Sequence, residues 1–373
     1  MKIKVRPDDF IVEEVADIKI NNSGKYFLYI LEKVNWNTLD ALKQIAKVNK
    51  IPQSLLSYCG KKDRYAHTFQ YITSTTRLST EKINDNIKIT YLGKTNENAV
   101  PSLIQKNKFT LKIRDISDED IKKITQRIEE IKKYGFPNYF GDQRFGSYDK
   151  NFGFFGEKFL KAQYNGALKC LLCSIHSEDD KSTKDRKRLF FQNWGDFDKL
   201  KDFAKTKLEK NIFQILSEKP KGFLNAIHIY PTEEISMAFS AYQSYLWNNM
   251  LKKVLLNLGS NYKISIKEWL YPIYKTLPDD EFKNLKNLII PPPGIKPFFS
   301  NDYTEKIYDE VLKEEGLYQA RFSQRKYRKV IIKSFPRNAI VIPEDIIVLQ
   351  EGEDELYKGK KFITLSFSLP KGS

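Results

Sequence analysis

Apolar and polar residues alternate along the first third of the chain and again near its end, which predicts β-strands. The first set comprises the stretches DFIVEEV, GKYFLYILEKV, TFQYITST, DNIKITYLG and FTLKIRD, and the last set comprises RKVIIKSF, AIVIP, DIIVLQ and KKFITLSFSLP. Two helices interrupt the first set. One is capped by Asn37 or Thr38, and the other is capped by Ser117 with Asp120 and ends at Gly135. The pattern is therefore α+β, with strands expected in hairpins.

Between residues 150 and about 320 the apolar residues recur at steps of three and four, which is typical of helices. The longest such stretches are FGEKFLKAQYNGALKCLLCSI, DFDKLKDFAKTKLEKNIFQIL and EISMAFSAYQSYLWNNMLKKVLLNL. Because the final strands are few for a domain of their own, we expect them to complete the first sheet. The predicted organisation is residues 1–150 as the first part of a strand core, 151–325 as a mostly helical insertion, and 326–373 as the last strands.

The charge balance narrows the class of partner. The 373 residues carry 63 lysines and arginines against 47 acids, a net charge of +16. Such an excess indicates a polyanion, with nucleic acid ahead of an anionic membrane surface, although a basic surface serving solubility gives the same balance. The chain also has 25 Phe, 21 Tyr and 4 Trp, and rings that are not needed in the core suit stacking on unpaired RNA bases.

Several common functional devices are missing from the sequence. There is no glycine-rich phosphate loop after a strand, no nucleophile elbow, and no pair of histidines at helical spacing. Cys170 and Cys173 have the spacing of a metal knuckle, but without a second knuckle an apolar helix face is the better interpretation. No signal peptide or run of transmembrane length is present. A nucleotide cofactor, a serine hydrolase site or a catalytic zinc therefore has no support in the sequence, and we expect a cytoplasmic protein without membrane contact. We also expect a monomer.

Three polar clusters remain as candidates for chemistry: KVRPDDFIVEE at 4–14, GKKDRYAHTFQ at 60–70 and GFPNYFGDQRFG at 135–146. Taken alone, the first is better explained as an ordinary strand with a capped start, and the second as a solvated turn in which Asp63 stands among lysines and arginine. The third combines glycines, aromatic rings and amide or guanidinium groups more densely than a simple connector does.

Taken together, the clusters resemble the TruD-type tRNA pseudouridine synthases. KVRPDDFIVEE is similar to the family's Lys-x-x-Pro-x-Asp-Phe-x-Val-x-Glu motif, GKKDRYAHTFQ to Gly-x-Lys-Asp-x-x-Ala-x-Thr-x-Gln, and NYFGDQRFG to Asn-Tyr-Phe-Gly-x-Gln-Arg-Phe-Gly. AYQSYLWN at 241–248 and FSLPKGS at the end resemble two further segments, and all five occur in the family's order. One departure is Lys106 before Asn107, where the family usually carries Gly-Asn.

The resemblance implies a pseudouridine synthase core with a mostly antiparallel sheet and a family-specific helical insertion. It implies isomerisation of a flipped-out uridine to pseudouridine in tRNA, commonly at position 13, without cofactor or metal. Asp63 would be the catalytic group, with Lys62 or Lys4 as its counter-charge. The substrate-binding residues would be Phe10, Asn138, Phe140, Lys4, Lys62 and Arg144.

Two other functions stay open at this point. The same scaffold could serve as an RNA-binding or RNA-folding protein with weak or no catalysis, although binding alone does not require Asp63. An RNA nuclease would usually show clustered acids or a histidine pair, which the sequence lacks. Wider RNA contact would rest on the densest basic runs, DRKRLFF at 185–191 and RFSQRKYRK at 321–329, either of which is also explained as a solvated face.

Overall fold

The computed structural model describes residues 1–21, 23–80, 83–260, 262–323, 327 and 329–373. The chain divides into two compact units. The first, here the strand unit, comprises Met1–Phe136 and Val341–Ser373, and the second, the helical unit, comprises Pro137–Ile340. The boundaries thus lie at 136/137 and 340/341, whereas the sequence predicted 150/151 and 325/326.

The strands in the described residues are β1 (Lys2–Ile3), β2 (Phe10–Ala16), β3 (Tyr26–Val34), β4 (Leu56–Tyr58), β5 (His67–Ser74), β6 (Ile87–Thr95), β7 (Ile104–Ile116), β8 (Phe136–Pro137), β9 (Tyr262–Ile266), β10 (Trp269–Ile273), β11 (Ile340–Val341), β12 (Glu344–Glu353) and β13 (Lys361–Pro370). The α-helices are α1 (Thr38–Val48), α2 (Asp118–Tyr134), α3 (Phe155–Leu160), α4 (Tyr164–Leu172), α5 (Lys181–Gln192), α6 (Phe197–Phe203), α7 (Lys207–Glu218), α8 (Phe223–His228), α9 (Thr232–Asn257), α10 (Asp279–Asn287) and α11 (Asp302–Glu314).

Nine of the described strands form one sheet in the strand unit. Its order is β12-β13-β7-β2-β5-β3-β6, with β1 also paired to β7 and β4 to β5. The β2–β5 pair is parallel, with Ile11 opposite His67, and the other pairs are antiparallel. The sheet is therefore mixed but mostly antiparallel, as the family resemblance implied.

The expected hairpins of β2 with β3 and of β6 with β7 are not formed, although the consecutive strands β4 and β5 do pair antiparallel. β5 lies between β2 and β3, and β6 and β7 lie at different places in the sheet. A turn in the sequence shows only that the chain reverses, whereas strand neighbours are chosen by packing of residues far apart along it. The predicted strand RKVIIKSF is absent from its described residues 329–335, where only Lys333 forms an isolated bridge, with Ile295.

Two helices bury their apolar faces on separate parts of the sheet. α1 begins at Asn37, whose side chain accepts from the Asp40 amide, and it packs on the part formed by β3, β5 and β6. α2 begins with the predicted capping box of Ser117 and Asp120 and ends at Gly135, and it packs on β7, β12 and β13. Each helix thus covers its own hydrophobic core. Neither of these two cores contains a residue of β2, so β2 is the strip of sheet between them.

The helical unit is built around α9, which is buried on most sides along 26 residues. α3 and α11 both pack against it, and the β9–β10 hairpin contacts it as well. The long predicted helical stretches are interrupted. Between α3 and α4 the chain turns at Ala162, whose φ of 60° is left-handed, and between α6 and α7 the Thr206 side chain caps a new helix. None of the helices in the described part of the chain has both the length and the apolarity to cross a membrane.

A buried arginine ties the two chain segments of the strand unit together. The guanidinium of Arg114 on β7 donates to Asp9 at 2.9 Å, to Asp354 at 3.0 Å and to Glu355 at 2.8 Å. Arg114, Asp9 and Asp354 are all closed off from solvent. Asp9, the acid of the first motif, therefore has a structural role, because it anchors the start of β2 to the segment that follows β12.

We expect Arg114→Ala to lower the free energy of unfolding by about 3–5 kcal/mol, because it leaves the buried carboxylates of Asp9 and Asp354 without their cation. Urea unfolding measures the loss. The control is Lys123→Ala, which removes an exposed ion pair with Glu119 and should cost at most about 1 kcal/mol. Equal losses in the two variants would show that the Arg114 network does not hold the unit together.

Candidate active site

The predicted site residues fall into two groups, one in each unit. Lys4, Phe10, Lys62 and Asp63 belong to the strand unit, and Asn138, Phe140 and Arg144 belong to the helical unit. Within the first group, Lys4, Phe10 and Asp63 come together. Within the second group, the three residues also come together, around the ring of Phe140.

Asp63 lies on the loop of residues 60–64 between β4 and β5, and buried polar side chains hold that loop in place. The Thr38 hydroxyl at the start of α1 accepts from the Lys62 amide at 2.9 Å and donates to Gln70 at 3.0 Å. Gln70, buried on β5, donates in turn to the Gly60 carbonyl at 2.9 Å. The loop is thus fixed by the helix and by the sheet, which is how a reactive side chain is kept in one geometry.

The Lys4 ammonium pairs with the Asp63 carboxylate. Their closest atoms, Nζ and Oδ2, are 3.3 Å apart, and the two side chains are 35% and 34% exposed. The same ammonium lies 3.8 Å from the centre of the Phe10 ring. Lys4 has a φ of 55°, an uncommon left-handed conformation for a residue with a side chain. A cation, an aromatic ring and a partly exposed acid are therefore held together at the start of β2.

Lys62 is committed to a different acid. Its Nζ is 2.5 Å from Glu14 Oε1, and the two side chains are only 8% and 0% exposed. The other carboxylate oxygen of Glu14 accepts from the Tyr71 amide at 3.0 Å. Of the two counter-charges that the sequence offered for Asp63, the structure pairs Lys4 with it, while Lys62 joins the loop to β2.

A second lysine, which the sequence analysis did not single out, also contacts the loop. Lys33, at the end of β3, is completely buried, and its ammonium donates to the main-chain carbonyls of Asp63 at 2.8 Å and Trp36 at 2.6 Å. Burial lowers the pKa of Lys33 to about 8. The Asp63 carboxylate raises this pKa, and the positive charge of Lys62 lowers it further. The sequence did hold one indication of this. Lys33 is two and four positions after Leu31 and Tyr29, so all three side chains lie on the same, inward-facing side of the strand.

In the helical unit, α9 holds the main chain of Phe140. The amide of Asn248, fully buried on α9, accepts from the Phe140 N–H and donates to the Phe140 carbonyl, both at 2.9 Å. Trp247 packs edge-on against the Phe140 ring with centroids 5.6 Å apart. The AYQSYLWN helix, which the resemblance singled out, therefore supports the NYFG segment through its last two residues.

Arg337, which lies far along the sequence, completes this group. Its Nη2 donates to the main-chain and side-chain oxygens of Asn138 at 2.6 and 2.7 Å, and its guanidinium carbon lies 3.8 Å from the Phe140 ring centre. The Asn138 amide also donates to the Asn338 carbonyl at 3.0 Å, so its orientation is set by the protein. Arg337 thus covers one face of the Phe140 ring, and Phe140 as a whole is buried, with 8% of its surface exposed.

Arg144 brings a second guanidinium to the same ring, 5.1 Å from its centre, and donates to the Ser240 hydroxyl at 3.3 Å. Burial lowers the pKa of Arg144, and burial together with the nearby Arg144 charge lowers the pKa of Arg337 to about 10. Both stay protonated near neutral pH. The surroundings of Phe140 are therefore cationic, which favours a polyanionic ligand.

The basic run at 185–191 is less free than its sequence suggests. Arg186 pairs with Glu209 at 3.0 Å, Lys187 with Asp179 at 2.7 Å, and Arg188 with Asp185 at 2.7 Å. In the run at 321–329, residues 324–326 and 328 lie outside the described residues. RNA contact by either run stays a prediction.

No three His, Cys, Asp or Glu side chains within the described ranges are grouped so that they could hold a metal ion. The three cysteines are buried free thiols, and burial raises the pKa of Cys170 and Cys173 to about 12. This places the CLLC pair in the packing of α4, where thiols behave as small apolar groups.

Comparison with known proteins matches residues 1–373 to the family described as "tRNA pseudouridine synthase D (TruD)". A relative named "tRNA pseudouridine synthase D" from Leptospira interrogans is 31% identical over 99% of this chain and 93% of its own. One named "Probable tRNA pseudouridine synthase D 2" from Methanocaldococcus jannaschii is 34% identical over 100% of this chain and 89% of its own. A crystal structure of a TruD protein from Methanosarcina mazei matches the fold with a TM-score of 0.75, at 23% identity, over 100% of this chain and 90% of the other.

The mostly antiparallel sheet and the mostly helical second unit agree with the pseudouridine synthase fold that the family resemblance implied. The fold comparison agrees with that class. The chain belongs to the tRNA pseudouridine synthase D (TruD) family. The family resemblance seen in the five motifs is thereby confirmed.

We expect Asn248→Asp to destabilise the protein by about 1–3 kcal/mol, because a carboxylate oxygen replaces the amide donor that faces the Phe140 carbonyl. Chemical unfolding measures the loss. Asn225→Asp, at an exposed position of α8, is the matched control and should change the unfolding free energy by no more than about 0.5 kcal/mol. A stable Asn248→Asp protein would contradict the bracing role.

The lowered pKa of Lys33 also predicts a pH dependence of stability. Above a pH of about 8 the folded protein releases the Lys33 proton while the unfolded chain keeps it, so this group's contribution to stability rises with pH. The difference in unfolding free energy between wild type and Lys33→Met should grow in favour of wild type by about 2 kcal/mol between pH 8 and 9.5. Urea titrations at several pH values test this, and a difference that is constant with pH would contradict it.

Proposed function

We propose that this protein isomerises a uridine of tRNA to pseudouridine and that Asp63 is its catalytic group. The proposal joins the family to one observation: Asp63 is a partly exposed acid on a loop braced by Thr38, Gln70 and Lys33, with the Lys4 ammonium beside it. In this it differs from Asp9 and Asp354, whose carboxylates are buried against Arg114.

The reaction breaks the N-glycosidic bond, turns the uracil and rejoins the sugar to carbon 5. A carboxylate assists such a step by attacking the reacting centre or by stabilising positive charge that develops on the sugar. Either role uses the carboxylate that pairs with the Lys4 ammonium at 3.3 Å. A base at the sugar, acting through a glycal, would use the same ionised group, so the assignment of Asp63 does not depend on which path is taken.

The target uridine has to leave its stack before it reacts, which costs a few kcal/mol. For the helical unit we propose that Phe140 offers a ring on which a base stacks, an interaction worth about 1–3 kcal/mol. Asn138 would present an amide of fixed orientation, and Arg144 would bind a flanking phosphate. For the strand unit we propose that Phe10 contributes an apolar wall beside Asp63.

The remaining parts of the proposal follow the family resemblance. We propose that the protein works as a monomer in the cytoplasm on tRNA, without metal or cofactor, and that the uridine at position 13 is the first to test. Lys62 is proposed to act on the RNA only indirectly, since its ammonium is bound to Glu14.

The test is release of tritium from unmodified tRNA that carries tritium at carbon 5 of uridine. Wild type should release tritium, and Asp63→Asn should lower the rate by at least about 1,000-fold, since a neutral amide of the same shape cannot supply the charge. Asp17→Asn, at an exposed position of the same unit, is the control and should keep the wild-type rate.

The two failures have different meanings. No release by wild type on any tRNA would overturn the enzymatic function and favour an RNA-binding protein on this scaffold. Release by Asp63→Asn at the wild-type rate would leave the reaction standing and overturn the role of Asp63.

A further inference from the structure

Lys33 is an unusual residue for the place it occupies. Its side chain is closed off from solvent at the end of β3, and its two hydrogen-bond acceptors, the carbonyls of Trp36 and Asp63, are neutral main-chain groups. Burying an ammonium is costly, and a neutral donor could bond the same carbonyls at a lower cost. The hydrogen bonds alone therefore do not account for a charged side chain at this position.

One of the two hydrogen bonds of Lys33 goes to the main-chain carbonyl of Asp63, the proposed catalytic residue. Three buried groups hold residues 60–64: Gln70 binds the Gly60 carbonyl, Thr38 binds the Lys62 amide, and Lys33 binds the Asp63 carbonyl. Of these three bonds, the one from Lys33 acts on the main chain of Asp63 itself. With that carbonyl bonded to the sheet, the carboxylate moves chiefly by rotation about its own side-chain bonds.

The surroundings of Lys33 supply one favourable charge. Thr68 on β5 and Ile87 on β6 stand opposite it in the sheet, and neither titrates. The charged groups that act on it belong to the loop: the Asp63 carboxylate favours the ammonium, and Lys62 opposes it. Attraction between two charges is mutual, so the Lys33 ammonium also attracts the Asp63 carboxylate from inside the protein, while the more exposed Lys4 pairs with it directly.

We propose that Lys33 is a positioning residue for the reaction: it fixes the main chain of Asp63 and places a buried positive charge behind the carboxylate, without touching the substrate. The inference rests on the proposed function, because it gives Lys33 a part in the step that Asp63 performs. The two lysines then have different roles. Lys4 forms an ion pair with the Asp63 carboxylate at the surface, whereas the buried Lys33 donates a hydrogen bond to the Asp63 main-chain carbonyl.

The first experiment compares Lys33→Met, which removes both hydrogen bonds and the charge at similar length, with Lys33→Gln, which keeps a donor and loses the charge. Tritium release under saturating tRNA gives kcat, and filter binding gives the Kd for tRNA. We expect Lys33→Met to lower kcat by about 100-fold, the cost of a small displacement of a reacting group, with Kd unchanged within about twofold. Lys33→Gln should fall between Lys33→Met and wild type.

The matched control is Lys88→Met on the neighbouring strand β6, where the lysine is exposed. It should keep both kcat and Kd. The positioning role would be overturned if Lys33→Met kept the wild-type kcat. It would also be overturned if the variant lowered kcat and weakened tRNA binding by the same factor.

A second readout needs no catalysis. Amide hydrogen exchange should become faster at residues 62–66 in Lys33→Met while α1 and β3 keep their protection. An unchanged amide exchange rate at residues 62–66 would contradict the proposal, whatever the tritium-release rates show. If wild type releases no tritium, the proposed function fails, and the exchange result still decides whether Lys33 holds the loop.

If Lys33→Met does not fold, the pH profile of the wild type replaces it. The kcat of wild type should fall as pH rises through about 8, where Lys33 loses its proton because its pKa is lowered. Uridine itself also titrates at alkaline pH, so the profile of Lys33→Gln is the reference and should lack the fall near this pH. Superimposable profiles would overturn the proposal.

Discussion

Most polar groups that a protein buries are hydrogen-bonded inside it, and the bonds of three buried side chains determine how the strand unit presents Asp63. In the loop of residues 60–64, the bonded main-chain groups are the carbonyls of Gly60 and Asp63 and the amide of Lys62. Thr38, Gln70 and Lys33 bond to those groups from α1, β5 and β3. The acid is thus exposed at its carboxylate and fixed at its peptide, and both properties arise from the same hydrogen bonds.

The acids of the family motifs divide into two kinds by the same criterion. Asp9 and Glu14 each give both carboxylate oxygens to partners within the strand unit, Asp9 to Arg114 and the Arg6 amide, and Glu14 to Lys62 and the Tyr71 amide. Asp63 differs because its partner Lys4 lies at the surface and a third of its side chain is exposed. Burial and exposure therefore separate acids that build the fold from the acid that is available for chemistry.

The sequence predicted those parts of the structure that depend on neighbours along the chain. Asn37 and Ser117 cap helices where the pattern placed them, and the alternating stretches became β2, β3, β5, β6, β7, β12 and β13. Strand order was not predictable in this way, since β5 enters between β2 and β3 through pairings that no local pattern encodes. The family motifs brought out Asp63, Asn138 and Phe140 because each motif is a short continuous segment.

Motifs could not identify residues whose partners lie far away along the sequence, and the reason is physical. Lys33 reaches Asp63 across 30 positions, and Arg337 reaches Asn138 across 199, so neither pair forms a motif. What both show in sequence is only a cation beside apolar residues, which is also how many surface strands look. The distinguishing property is burial of the charge, and burial depends on the whole fold. A buried cation bonded to the main chain of a candidate catalytic residue is therefore a signal that only a structure supplies, and it points to residues whose loss should change turnover more than substrate binding.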